Sequence, residues 1–311
     1  MLAEYALVPD IFDVTAYSSS EICGVHLQYL KEALLEEALV RDLRGGEWRV
    51  YIKKSLDHYH PKAKELFKKL ATQKRIRTVP FCSPTKPANH ADWCVEAIAS
   101  HGWKSLNGVI TSTAVAKAHK KIPLVASIEK LSSAPWWRNR GHSVRLRKQT
   151  QDYLQHLQLV LSHANSIAFI DPYLDPTQRP YREFHQLIEA ANRADIAPLI
   201  EIHTAAKGFD KDSNSRQELS LVDWKFRLSS LSHTLRTTQL EAEIFVWEYF
   251  HDRYIISNIV GINLNGGIDI SRNPQEETTW NRLTRDVRDD IQREFTPNAS
   301  QHELKYQFRL P

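Results

Sequence analysis

Apolar positions along the chain fall into helix-spaced and strand-spaced runs that replace one another. Val25, Leu27, Leu30, Leu34, Leu35 and Leu39 recur at helical spacing behind the capping run Ser18-Ser19-Ser20-Glu21, and Gly45-Gly46 ends that helix. Residues 48–52 read as a strand. Pro61 opens a basic helix over 62–73 at the favoured first-turn position. Residues 75–81 form a strand pattern, Asn89 caps a helix over 92–100, and 106–111 and 122–128 are further short strands. Residues 1–18 carry few helix signals and receive no element.

Residues 132–142, which hold Pro135-Trp136-Trp137-Arg138-Asn139-Arg140-Gly141, read as a linker or functional loop. An amphipathic helix is predicted over 145–163, with Leu146, Tyr153, Leu157, Val160 and Leu161 on one face. The alternation then becomes regular. Strands are expected at 166–171, 197–203 and 242–249, helices at 181–193, 217–240 and 280–294, and a polar loop at 205–214. A strand–turn–strand begins at His251. Strands alternating with helices predict an α/β protein, with mixed strand directions near the hairpin. Two domains follow, 1–140 and 145–311.

Composition adds direction to this frame. Of 311 residues, 42% are hydrophobic and 25% charged, ordinary for a globular chain large enough for two domains. No apolar run approaches the ~20 residues that cross a bilayer, and the N-terminus has no basic n-region or signal core. Cys23, Cys82 and Cys94 form no CxxC or Cys/His cluster and read as reduced thiols of a cytoplasmic protein. Residues 1–150 carry 24 Lys+Arg against 14 Asp+Glu, and the remainder 17 against 23. A basic half joined to an acidic half points to a polyanion or acidic partner for the first, or to two halves that attract each other.

The candidate chemistry centres on Phe250-His251-Asp252-Arg253-Tyr254. Period two sets His251 and Arg253 on one side of a strand and Asp252 on the other. A His two residues before a cation suits phosphodiester chemistry: the imidazole attacks phosphorus while the cation neutralises the phosphate oxygens. In a His-x-Lys-x4-Asp register the third position is Asn258, which carries no negative charge. Arg253 can replace Lys, because its guanidinium grips phosphate with two donors. A two-histidine site needs a second motif. His119-Lys120-Lys121 has the spacing but meets Ala126 in the third place, so the second His falls to His203 or to a symmetric dimer partner. The structural alternative is a buried His bonding a carbonyl, with Arg253 paired to Asp171 or Glu248.

Residues 164–273 as a run resemble the phospholipase D-like domain at the C-terminus of MIT-domain proteins. The resemblance rests on Ile170-Asp171-Pro172-Tyr173 at a strand end, Ile202-His203-Thr204 on the next strand, a long helix, and His251-Asp252-Arg253. Asn258, Gly261-Ile262, Leu264, Gly267 and Asp269 complete it in order and spacing. It implies a phospholipase D-like mixed sheet flanked by helices in the C-terminal half, with one degenerate active-site motif. In the eukaryotic relatives that domain is regarded as non-catalytic and associated with anionic lipids; bacterial proteins with similar hairpins resemble defence or mobile-element components. Residues 1–140 match no family and read as a basic α/β domain, or as a worn-down phospholipase D-like half.

Around the motif, Asp171 and Tyr173 sit where a strand meets a loop, a favoured ligand position in open α/β sheets. Glu201 and His203 share one strand face and are expected to flank the His251 pocket, together with Asp252. No metal-ligand spacing and no cofactor motif is present. Trp136, Trp137, Arg138 and Arg140, with Arg145, Arg147 and Lys148, combine aromatics with cations as single-stranded nucleic acid requires, and Lys68 and Lys69 extend the basic footprint. A packed tryptophan core with a solvated basic rim is the structural alternative. Two functions therefore stand as expectations. One is a metal-independent phosphodiesterase or nuclease of a bacterial defence or mobile-element system, with His251 as nucleophile, Arg253 as clamp, Asn258 orienting and His203 moving the second proton. The other is a non-catalytic module that binds nucleic acid, another polyanion or anionic lipid beside a protein partner.

Overall fold

A computed structural model describes residues 1–194, 196–210 and 215–311. The chain divides into two compact units, Leu2–Arg140 and Gly141–Pro311, the latter taking in Met1.

In the first unit, strand β1 (Ala3–Leu7) is followed by helix α1 (Ser20–Glu37) and β2 (Ala38–Asp42). Then come α2 (Glu47–Ser55), α3 (Pro61–Thr72), β3 (Ile76–Thr78), α4 (His90–Trp103), β4 (Gly108–Thr111), α5 (Thr113–Ala118), β5 (Val125–Ser127) and α6 (Pro135–Arg138). The strands form one parallel sheet in the order β3-β2-β1-β4-β5. The chain reverses direction across the sheet between β1 and β4, where an open α/β sheet has its crevice. Asp10 occupies that place: its carboxylate accepts Thr111 Oγ1 at 2.9 Å and Ser112 N at 3.0 Å. A second polar contact lies inside the unit, where the fully buried Arg41 donates to Glu4 at 2.8 Å and to the Ser100 carbonyl.

Several expectations are corrected here. β1 was not anticipated, because a central parallel strand is buried on both faces and shows no alternation. Residues 48–52 are helical: Gly46, at φ 105°, precedes α2, and Trp48 and Ile52 are buried at i, i+4 spacing. Leu39 belongs to β2, which follows α1 without a loop. The 132–142 segment carries α6 and packs: Trp137 is buried, its Nε1 donating to Tyr29 Oη at 2.9 Å. The Pro61 helix and the α4 start agree with expectation, and Asn89 and Asp92 form a reciprocal capping box.

The second unit begins with β6 (Ser143–Arg147) and α7 (Thr150–Leu161), where one helix over 145–163 was expected. It continues through β7 (Ser166–Ile170), α8 (His185–Ala190), β8 (Leu199–Ala205), and the antiparallel pair β9 (Lys207–Asp210) and β10 (Ser215–Glu218). Residues 211–214 of the expected polar loop lie outside the described residues. The expected 217–240 helix is broken into α9 (Leu221–Leu228) and α10 (Ser232–Thr238) behind a Ser220–Asp223 capping box. Then follow β11 (Ala242–Trp247), β12 (Tyr254–Ser257), β13 (Gly261–Leu264), β14 (Glu277–Arg282), α11 (Arg285–Glu294) and β15 (Leu304–Leu310). Trp280 is thus in a strand, and only the later part of 280–294 is helical. The mixed sheet runs β15-β11-β8-β7-β12-β13-β14-β6. Its order and strand directions differ from those of the first sheet, so the first unit does not repeat the topology of the second. Both units are α/β.

Trp136 limits what β4 tolerates. Its Nε1 donates to Pro123 O at 3.0 Å, and a Cβ added at Gly108 would lie 2.5 Å from three of its ring carbons. Gly108→Ala is expected to destabilise the protein by ~1–3 kcal/mol in urea unfolding. Gly102→Ala, in α4 with open space around its Cβ, is expected to hold or gain stability. Equal stability for the two variants would contradict this packing.

Candidate anion site

Asp171 follows β7 directly. Ile170 pairs with Tyr254 on one side and His203 on the other. One further step in the β7–β12 register sets Asp171 opposite Arg253, whose backbone carbonyl still accepts Leu264 N at 2.9 Å. Alternation places Asp171 and Arg253 on one sheet face and Ile170 and His203 on the other.

The Asp171 carboxylate is fully buried. It accepts Tyr173 N at 3.0 Å, Tyr181 Oη at 3.2 Å and Ile268 N at 3.4 Å. Arg253 Nε stands 3.7 Å away, one of the two pairings expected for Arg253. Burial pushes the Asp171 pKa up to about 6, while the Tyr173 N–H and the Arg253 charge oppose the rise. Gly267 closes the pocket at φ 80°, and a Cβ there would lie 2.5 Å from Asp171 Oδ2.

Tyr173 carries two guanidinium groups. Arg253 lies 4.9 Å and Arg216 4.4 Å from its ring centroid. Arg216, on β10, also donates to the carbonyls of Pro172 and Lys207. Beside them Lys148 pairs with Asp269 at 2.6 Å and Glu276 at 3.5 Å. Arg253 Nε is buried without a hydrogen bond, Nη1 donates to Asn265 O at 3.5 Å, and a quarter of the side chain (26%) is exposed.

The remaining expected residues do not join this cluster. His251 and Asp252 precede β12 and are exposed, so alternation within a strand does not govern them, and His251 Nε2 contacts the Tyr249 hydroxyl. Asn258 lies beyond the opposite end of β12, about 17 Å along an extended chain from Arg253. Its Oδ1 accepts Asn165 N at 2.7 Å, so it does not orient a ligand at Arg253. His203 is buried on the other sheet face, stacked on Phe245 at 4.7 Å, and its Nδ1 accepts Trp247 Nε1 at 3.1 Å. Burial lowers its pKa. Glu201 is 3.5 Å from it, and both line a cavity of about 80 Å³ with Phe295. Both lie on the sheet face opposite Asp171 and Arg253. Among the described residues no cluster of three or more His, Cys, Asp or Glu stands ready for a metal.

The expected nucleic-acid residues are largely engaged. Trp136 is half-buried and packs on Tyr5 at 5.6 Å, and Trp137 is buried and offers no open face for a base. Arg140 pairs with Glu37 and lies over Trp137, Arg145 pairs with Glu277, and Arg147 grips Asp152 through two nitrogens. Lys69 pairs with Glu65 at 2.9 Å; Arg138 and Lys68 remain exposed. Sequence reasoning missed Arg216 and Tyr181. Neither has a local signal, since each reaches the site through contacts 10 or more residues away.

No protein-family model matches the chain, and no curated protein matches it. A solved structure of TrmBL2, an archaeal chromatin protein described as showing a novel mode of DNA binding, aligns over 80% of this chain and 84% of its own. The identity is 12% and the TM-score 0.30, too low a likeness to carry any conclusion about this chain. No helix among the described residues is long and apolar enough to cross a membrane.

The raised Asp171 pKa carries a pH signature. The folded state favours the protonated carboxyl, so this group's contribution to stability is complete below the unfolded value and is lost as pH rises through about 6. Wild-type protein is expected to gain up to roughly 3 kcal/mol more than Asp171→Asn on acidification from about pH 7 to about pH 4, read by urea unfolding. An unchanged slope in the variant would assign the titration elsewhere.

Proposed function

We propose that the second unit is a non-catalytic module that binds phosphate groups of a polyanion, through Arg253 and Arg216 held on Tyr173. The observation that carries this reading is the pair of guanidinium groups on one aromatic ring, above a buried carboxylate that fixes one of them. Guanidinium groups present planar donors matched to phosphate oxygens, and holding them in place removes part of the ordering cost of binding. Nucleic acid is the polyanion chosen for the test, because its phosphates recur at short intervals.

The competing phosphodiesterase reading keeps His251 as nucleophile. Two-step transfer through a phosphohistidine needs a second proton-transfer group within hydrogen-bond reach. His203 is buried on the other sheet face and Asn258 lies at the far end of β12, so neither of these two supplies that partner to Arg253. The module reading requires no further residue.

Labelled single-stranded DNA and RNA, incubated with the full chain in excess EDTA, separate the two. Binding that weakens with salt, falls about ten-fold in Arg253→Ala and in Arg216→Ala, and leaves the strand uncut supports the module. Cleavage that disappears in His251→Ala would replace it with the phosphodiesterase.

A further inference from the structure

A second basic concavity lies in the same unit and takes no part in the cluster above. Arg179, Pro180, Arg182 and Glu183 form one wall, and Ile270, Ser271, Arg272 and Pro274 the other, with Gln149 beside them. The cavity encloses about 550 Å³. The walls are joined at their base by Ile270 N donating to Pro180 O at 2.7 Å. Gln149 Nε2 donates to Ser271 O at 3.3 Å, and Thr150 Oγ1 donates to Glu183 Oε2 at 2.5 Å.

Arg179, Arg182 and Arg272 are exposed, and among the described residues none of them forms an ion pair. This sets them apart from Arg140, Arg145, Arg147 and Lys148, each of which has a carboxylate partner. Three cations against the single carboxylate of Glu183 leave the cavity with an excess of positive charge, which a multiply charged anion offsets. Their planar forks match phosphate oxygens. The cavity is larger than a phosphate group needs and falls within the ~300–1,000 Å³ of small-molecule sites. Its other walls suit a nucleoside. Pro180, Ile270 and Pro274 give an apolar surface. Gln149 keeps its amide oxygen for a donor, and Glu183 accepts from sugar hydroxyls or an exocyclic amine while disfavouring an all-phosphate ligand.

We infer that this cavity is a binding site for a nucleoside di- or triphosphate, with the phosphates on Arg179, Arg182 and Arg272 and the nucleoside against Pro180, Ile270 and Pro274. The site is independent of the Arg253 cluster in its ligand contacts, although the two share chain segments. Tyr181, between two of the arginines, donates to Asp171, and Ile268 N, two residues before Ile270, does the same.

Isothermal titration calorimetry of the full chain with ADP, ATP, GTP, adenosine and tripolyphosphate tests this. One-to-one binding of the nucleotides is expected, with tripolyphosphate and adenosine each weaker. Arg272→Gln and Arg182→Gln, whose thermal melts report folding, are expected to bind nucleotide at least ten-fold more weakly, whereas Arg253→Ala retains it. Tripolyphosphate binding as tightly as ATP would overturn the nucleoside assignment. Absence of binding at millimolar nucleotide, full binding in both glutamine variants, or a loss in Arg253→Ala equal to theirs would overturn the site. Failure of oligonucleotide binding in the earlier experiment leaves these outcomes unaffected, because the two sites use different arginines.

Discussion

A carboxylate with no solvent around it governs the architecture of the second unit. An ionised group taken out of water loses several kcal/mol of hydration, and only donors brought to it replace that loss. Asp171 draws its donors from separate stretches of chain: Tyr173 N beside it, the Tyr181 hydroxyl, and Ile268 N nearly a hundred residues later. Arg253 arrives from the neighbouring strand. Each donor brings its segment along. The turn at Gly267, the loop before α8 and the start of β12 therefore converge on one oxygen pair, and the place of the half-buried Arg253 is a consequence of that convergence.

The same constraint explains why the site is cationic despite the acidic balance of the unit. Buried or half-buried carboxylates hold their cations at short distance, as Asp269 holds Lys148 and Asp175 holds Arg227. Such pairs are locally neutral. Other cations are held differently: Arg253 and Arg216 lie on the Tyr173 ring, and Arg179, Arg182 and Arg272 face a cavity. Net charge per half is a poor guide to either, because pairing consumes most of the basic excess around Arg140, Arg145 and Arg147. In the first unit Arg41 is the extreme case: it is fully buried, and its guanidinium is spent on Glu4 and backbone carbonyls.

Features that depend on near neighbours were legible in the residues. The caps at Ser19 and Asn89, the helix start at Pro61, the strands at β4, β7, β8 and β11, and the α/β alternation all follow from local spacing. Asp171 and Tyr173 stood out by their place at a strand end, and Arg253 by its spacing from His251. The misreadings also have local causes: β1 is buried on both faces and shows no period, α2 was mistaken for a strand because Trp, Val, Tyr and Ile favour extended chains, and β6 merged with α7 because nothing between them breaks a helix.

The sequence by itself determined the fold class, most element positions and several residues of the candidate site. Tertiary structure decided which of them meet. A one-residue step in register moves a side chain across the sheet, so His203 lies apart from Asp171 although Ile170 adjoins both. Asn258, five residues from Arg253 in sequence, is carried to the far end of its strand by the ~3.3 Å rise per residue. Arg216 reaches Tyr173 from 43 residues away through the β9–β10 pair. Periodicity encodes which face a residue occupies within its own element; pairing between elements sets its neighbours, and those contacts span distances that local spacing does not record.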